Sequence, residues 1–91
     1  MLTNHVKKVT LTAQSVVKVT EGDVTRNVAI ETYVCSMDTN NPENMSLTKT
    51  YVSTEGKALY EDHRTECRRN YTEFQQMAYE LQDEMFAAQE A

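Results

Sequence analysis

Between Lys7 and Val19 the apolar side chains take odd positions (Val9, Leu11, Ala13, Val17, Val19). The even positions carry Lys8, Thr10, Thr12, Gln14, Lys18 and Thr20, with Val16 the exception. That alternation is the period of a half-buried β-strand. Beyond Glu21-Gly22-Asp23 the phase changes, and Val24, Val28, Ile30 and Val34 fall on even positions. A two-residue turn at Gly22-Asp23 sets Glu21 opposite Val24, and continuing that register sets Val17 against Val28, Ser15 against Ile30 and Leu11 against Val34. Odd then meets even, and both apolar sets share one face of a hairpin. The second strand's other face holds Ala29, Glu31, Tyr33, Cys35 and Met37. It reads either as scattered surface apolar residues or as a contact face for a partner or second protomer.

Residues 38–46, DTNNPENMS, are polar, hold the only proline, and read as a loop. The stretch LTKTYVS at 47–53 is rich in β-branched and aromatic types and predicts a third strand, with the poor alternation of an edge. Ser53 and Thr54 can cap a helix starting near Glu55. On that helix Leu59, Tyr60, His63, Cys67, Tyr71, Phe74, Met77, Ala78, Leu81 and Met85 form one broad stripe. The expected fold class is α+β. A three-stranded antiparallel β-sheet (near 6–20, 24–37 and 47–53) is followed by one long C-terminal α-helix packed on one face. We expect a single domain over 1–91, the sheet within 1–53 and the helix over 54–88, with Leu11, Val17, Val28, Ile30, Val34, Phe74 and Leu81 in the core.

One helix over 54–88 would measure about 50 Å, against roughly 35 Å for a ten-residue strand. It would overhang the sheet unless it breaks near Asn70, where Thr72 and Gln75 could form a capping box. Overhanging Leu81, Met85 and Phe86 would need a second surface, either another copy in a homodimer or the target itself.

Charge changes the picture more than length does. The chain of 91 residues carries a formal net charge of −5, and its sign is unevenly spread. Residues 1–20 hold Lys7, Lys8 and Lys18 and no acid, whereas residues 73–91 hold Glu73, Glu80, Asp83, Glu84 and Glu90 and no base. An acidic surface repels phosphate, so direct nucleic-acid binding is a poor expectation and a basic protein surface a better one. No long apolar run predicts a membrane span. The opening MLTNHVKKVTLT lacks the apolar core of a signal peptide, which leads us to expect a cytoplasmic protein with Cys35 and Cys67 reduced.

Candidate chemistry is sparse. His63 and Cys67 stand four apart on the stripe, a spacing that could offer two metal ligands. A structural zinc site needs four, and only Cys35 and His5 remain as soft candidates. A histidine beside a core cysteine is the plainer reading. A Cys67–His63 nucleophile would need an oxyanion hole and an orienting group, for which the sequence gives no sign. With two glycines in all there is no phosphate loop. We expect no enzyme, cofactor or metal.

The helix face opposite the stripe carries Glu55, Asp62, Glu66, Glu73, Glu80 and Glu84, an acidic ridge of roughly 43 Å interrupted by Arg69. A solvated helix face is one reading. The like-charge pairs Asp62–Glu66 and Glu80–Glu84, each four apart, cost an isolated helix a little stability and favour a second, functional reading. Tyr79 and Phe86 add an apolar edge beside the acids. The candidate partner-binding residues are therefore Glu73, Glu80, Asp83, Glu84, Tyr79 and Phe86.

A short acidic chain with a β-hairpin, a further strand, a long acidic helix and no catalytic motif resembles the small phage-encoded inhibitors of host defence, anti-CRISPR proteins above all. The resemblance is one of architecture and composition over the whole chain, and it carries over no functional residue. It implies a stoichiometric blocker in the host cytoplasm that offers carboxylates to the basic groove of a nucleic-acid-handling host protein, for example a CRISPR effector, as a DNA mimic. The alternative is a small homo-oligomeric structural or assembly module of phage or bacterial origin.

Overall fold

The computed structural model describes residues 7–90. Its strands are β1 (Lys8–Glu21), β2 (Val24–Asp38) and β3 (Asn41–Tyr51), an antiparallel sheet in the order β1-β2-β3. Helix α1 (Thr54–Tyr60) follows, then a 3-10 turn at Glu61–His63 and helix α2 (Arg64–Glu90). This is the expected α+β architecture, a three-stranded antiparallel sheet with a long C-terminal helix packed against it. The expected start of the first strand at Val6 lies outside the described residues, as does His5.

The hairpin turns where the sequence places it. Glu21 pairs with Val24, and Gly22 takes a left-handed φ of 61° that a side chain would resist. Pairing then runs in the expected register from Glu21 to Val16, which faces Ala29. There the register shifts. Ser15 faces Glu31 rather than Ile30, and Leu11 faces Cys35 rather than Val34. Ile30 is the extra residue of a β-bulge, so Ile30 and Glu31 are buried in succession. From this point β2 shows its odd positions to the core, and Tyr33, Cys35 and Met37 are fully buried. Val34 lies on the opposite face, partly exposed, which corrects its expected core role. The face read as a possible partner contact is the core itself.

Two further corrections concern lengths. Residues 38–46 are not a long loop: Asp38 pairs with Asn41 across a turn at Thr39-Asn40, with the Asn40 N–H donating to Asp38 Oδ1 at 2.8 Å. β3 therefore begins at Asn41, includes Pro42 as an edge strand can, and absorbs an irregularity in its register. Strands of 14 and 15 residues span about 46–50 Å, well beyond a ten-residue strand. The helical segment meets the sheet at both ends, through Gly56 against Ala29 and Ile30 and through Gln89 on the Thr39 and Asn40 carbonyls. The helix does not overhang its sheet, so the argument for a homodimer from surplus helix falls away. Nor does it break at Asn70. The Thr72 hydroxyl donates to the Arg68 carbonyl one turn back at 3.0 Å instead of capping a new helix.

Ser53 caps α1 as expected, its Oγ accepting from the Gly56 N–H at 3.0 Å. Gly56 rests directly on the bulge: a Cβ there would lie 2.6 Å from the Ala29 carbonyl oxygen and 3.0 Å from Ile30 Cα. The core has two parts. Near the bulge, Val17, Ile30 and Cys67 pack with Leu59 and Tyr60 at their margin. Beyond it, Tyr33, Cys35, Met37, Phe74 and Ala78 form the larger cluster, joined by half-buried Leu11, Leu47, Leu81 and Met85.

Phe74→Ala is expected to cost about 3–5 kcal/mol in urea unfolding, whereas Val34→Ala, outside the core, should cost about 1 kcal/mol or less. Equal losses would mean that β2 carries no bulge. Gly56→Ala should lower stability by about 1–3 kcal/mol through overpacking against backbone. The roughly 1 kcal/mol gained in helix propensity runs the other way, so a stabilised Gly56→Ala protein would show that α1 does not seat on β2.

Candidate functional site

Helix α2 has two flanks, and the sheet beneath says which is which. On one side Lys49 of β3 stacks over the Tyr71 ring at 5.1 Å, and the Gln82 amide donates to the Pro42 carbonyl at 2.8 Å. Gln89 closes the same side by donating to the carbonyls of Thr39 and Asn40 at 3.1 and 2.8 Å. On the other side Asn70, Glu73 and Met77 meet Gln14 and Val16 of β1 around an open cleft of about 340 Å³, with Phe74 and Tyr33 at its back. Seven residues turn a helix through two turns less about 20°. Glu80 and Glu84 therefore follow Glu73 and Met77 along the β1 flank.

The six expected site residues are thus divided. Glu73, Glu80 and Glu84 share the β1 flank, Asp83 sits on the outward crest, and Tyr79 and Phe86 belong to the β3 flank. Tyr79 is 49% and Phe86 36% exposed. The ridge is also shorter than expected. Glu55 is held by the Arg26 guanidinium, with Nη1 to Oε1 at 2.8 Å, and that hydrogen bond holds its carboxyl below the usual range. Arg26 also reaches Glu21 at 3.1 Å, tying the hairpin tip to α1. Glu66 stands 3.6 Å from His63. Among the described residues, Glu73, Glu80, Asp83 and Glu84 take part in no ion pair. Glu80 and Glu84 stand one helical turn apart within α2 (Arg64–Glu90), and a like-charge pair at that spacing costs a helix a little stability, so stability does not account for that pair.

Comparison with known families found no matching family model, and comparisons with curated proteins and solved structures found no match either.

A feature that the sequence did not announce lies behind the cleft. Asn70 Nδ2 donates to Ser15 Oγ at 3.0 Å, Ser15 Oγ lies 2.6 Å from Tyr33 Oη, and Tyr33 Oη donates to Glu31 Oε1 at 2.8 Å. A phenol has one proton. With that proton on Glu31, Ser15 must donate to Tyr33, and a single directed chain ends on the carboxylate. The Cys67 carbonyl stands 3.2 Å from Tyr33 Oη. Every member is satisfied, so the 2% exposed Glu31 is not a stranded charge. The bulge brings Glu31 and Tyr33 inward. The only sequence signal was the drift of large residues from even positions (Val28, Ile30) to odd ones (Tyr33, Cys35, Met37).

The hydroxyls of this cluster and the two cysteine thiols are not set up as nucleophiles. Ser15 is 1% exposed, and burial pushes the Tyr33 phenol above its ordinary value, so it is a poor base near neutral pH. The thiols of Cys35 and Cys67 are likewise pushed up by burial and stay protonated. Among the described residues no three His, Cys, Asp or Glu side chains gather closely enough to hold a metal ion.

Tyr33→Phe should cost about 1–3 kcal/mol by leaving Ser15 and Glu31 short of a partner. The folded state resists Tyr33 ionisation while the unfolded chain ionises near pH 10. Stability is therefore complete below that pH and falls as pH rises above it, because the native state binds more protons. Denaturant titrations should show a shallower alkaline decline in Tyr33→Phe than in the parent. Parallel declines would remove Tyr33 from the buried network.

Proposed function

We propose that this protein is a non-enzymatic binding protein, an inhibitor of the anti-CRISPR kind. It lays the carboxylates of α2 into the basic nucleic-acid-binding groove of a host protein such as a CRISPR effector. The observation that carries the reading is the set of acids Glu73, Glu80, Asp83 and Glu84, which take part in no ion pair among the described residues and include the like-charge pair Glu80–Glu84 one turn apart. From Glu73 to Glu84 is a rise of about 17 Å, along which one strand of a duplex carries about five phosphates. Four carboxylates over that length come close to the same charge density on a rigid rod. A groove built for phosphate has the positive potential to receive it. Tyr79 and Phe86, on the far flank, give such a groove an apolar lip to close on. No cofactor enters this reading, and among the described residues no helix is long and apolar enough to cross a membrane.

The exposed Tyr79 and Phe86 favour one second reading, a homo-oligomeric module whose copies meet through that flank. Salt separates the two, since screening weakens a charge contact and spares an apolar one.

The triple variant Glu73→Lys, Glu80→Lys, Glu84→Lys should lose binding and inhibition while its thermal midpoint stays within a few degrees of the parent's, exposed charges contributing little to stability. The measurement is competition with nucleic acid for a partner captured from host lysate, at low and high salt, with the particle mass followed by light scattering. Unchanged affinity of the reversed protein at low salt would overturn charge mimicry. A doubled mass that persists in high salt would support the oligomeric module.

A further inference from the structure

The two edges of the sheet are protected to different degrees. β3 carries Pro42, Glu43 and Lys49, and its register with β2 is interrupted. Proline, charge and irregularity are the usual guards of a strand edge. β1 has none of them along its middle. The run Val9–Val17, VTLTAQSVV, contains no charge, proline or glycine. The bulge beside it lies in β2, so β1 itself stays regular, and among the described residues no strand pairs with its outer side. A row of backbone N–H and C=O groups therefore faces outward.

What flanks this edge differs on the two faces of the sheet. On the helix side the cleft is floored by Phe74 and Met77 and opens beside Val16, with Met77 44% and Val16 45% exposed. Glu73 lines it, and by helical periodicity Glu80 and Glu84 continue along the same flank of α2. On the other side, three rows cross the sheet as Thr10–Ser36–Ser46, Thr12–Val34–Thr48 and Gln14–Thr32–Thr50. Those nine positions hold seven hydroxyl residues, one amide, one valine and no charge.

We infer that the free edge of β1 takes an extended basic segment of a partner protein as a fourth strand. Its alternate side chains would be Lys or Arg under the α2 carboxylates and small hydroxyl residues beside the threonine face. Strand addition supplies affinity through the backbone and specificity through alternate side chains. A strand seated about 4.8 Å beyond β1 puts one set of its side chains beneath the β1 flank of α2. A second copy of β1 fits worse. Antiparallel β1–β1 pairing has its two-fold axis normal to the sheet, which leaves both helices on one side with their acidic flanks facing each other. The inference rests on the reading of the α2 carboxylates as a binding surface, and it assigns that surface its ligand.

The probe is an eight-residue peptide of alternating Lys and Thr, with an alternating Glu and Thr control. Two further copies are N-methylated, one at its Lys positions and one at its Thr positions. The Lys-Thr peptide should bind the intact protein with at least tenfold weaker affinity in high salt, and the acidic control should not bind. Amide exchange at alternate residues of Val9–Val17 should slow at least tenfold. One N-methylated copy should lose binding and the other keep it, because a strand turns alternate N–H groups toward its neighbour. Glu73→Gln with Glu80→Gln should weaken the Lys-Thr peptide at least fivefold. Salt-dependent binding with unprotected β1 amides, and equal binding of both methylated copies, would overturn strand addition and leave the acidic ridge as a binding surface. No binding of the Lys-Thr peptide at low salt would overturn both.

Discussion

One residue of excess in β2, at Ile30, fixes which side of every later residue in that strand meets the helix. Before it, Val28 and Ile30 face inward, and after it Glu31, Tyr33, Cys35 and Met37 do. Because side chains alternate with period two, a single inserted residue exchanges the two faces of the rest of the strand. The bulge is clamped from the helix side by Gly56, whose missing Cβ lets α1 lie against the backbone of Ala29 and Ile30. It is clamped along the chain by Val52, whose N–H donates to the Ile30 carbonyl at 3.0 Å. Remove the close approach at Gly56 and α1 lifts. Remove the extra residue and the aromatic cluster around Phe74 loses Tyr33, which stands 5.6 Å from it ring to ring.

Turning odd positions inward also carries an acid into the core, and the fold answers with a local solution. Ser15 from β1 and Asn70 from α2 reach Tyr33 from two sides, so the chain that satisfies Glu31 joins three elements. An apolar residue at 31 would remove a desolvation cost of several kcal/mol. The polar chain instead fixes the angle at which Asn70 approaches β1. That angle sets how far Glu73 and Met77 stand from the β1 edge, and hence the width of the cleft.

Much of this was legible in the sequence, for identifiable reasons. Gly22-Asp23 and the odd-to-even switch gave the hairpin, because turn chemistry and periodicity are local. Ser53 gave the helix start, and Cys67, Phe74 and Ala78 gave the buried stripe. The bulge was not legible, since no single residue demands it. It follows from the gain of burying Tyr33, Cys35 and Met37 together, which depends on a helix more than 30 residues away. Reading β2 with one phase therefore misplaced Val34 and took the core face for a possible partner face. The length of β3 was missed because Asn41 and Pro42 read locally as loop, although an edge strand tolerates both. On the site, helical periodicity located the acids correctly but could not tell one flank from the other. Only the sheet shows that the flank of Glu73, shared by Glu80 and Glu84, is the β1 flank while that of Tyr79 and Phe86 is not.

The forces that hold the fold are spatially separate from the charges that make the candidate site. Along α2 the anchors to the sheet are apolar contacts and neutral amides: Gln82 to Pro42, Gln89 to Thr39 and Asn40, Asn70 to Ser15. The ion pair joining the sheet to a helix, Arg26 with Glu55, sits at the hairpin tip on α1, at the other end of the sheet from Glu80 and Glu84. A Debye length of about 8 Å at physiological salt is shorter than the roughly 10 Å rise from Glu73 to Glu80. Glu73 is therefore screened nearly independently of Glu80, whereas Glu80, Asp83 and Glu84 act together as one cluster, and none of these anchors along α2 is ionic. Salt in the physiological range acts on what the ridge can attract while leaving its geometry alone. A surface whose charge can be screened without loosening its support is preorganised for an oppositely charged partner, because the partner meets the same row of carboxylates at every ionic strength.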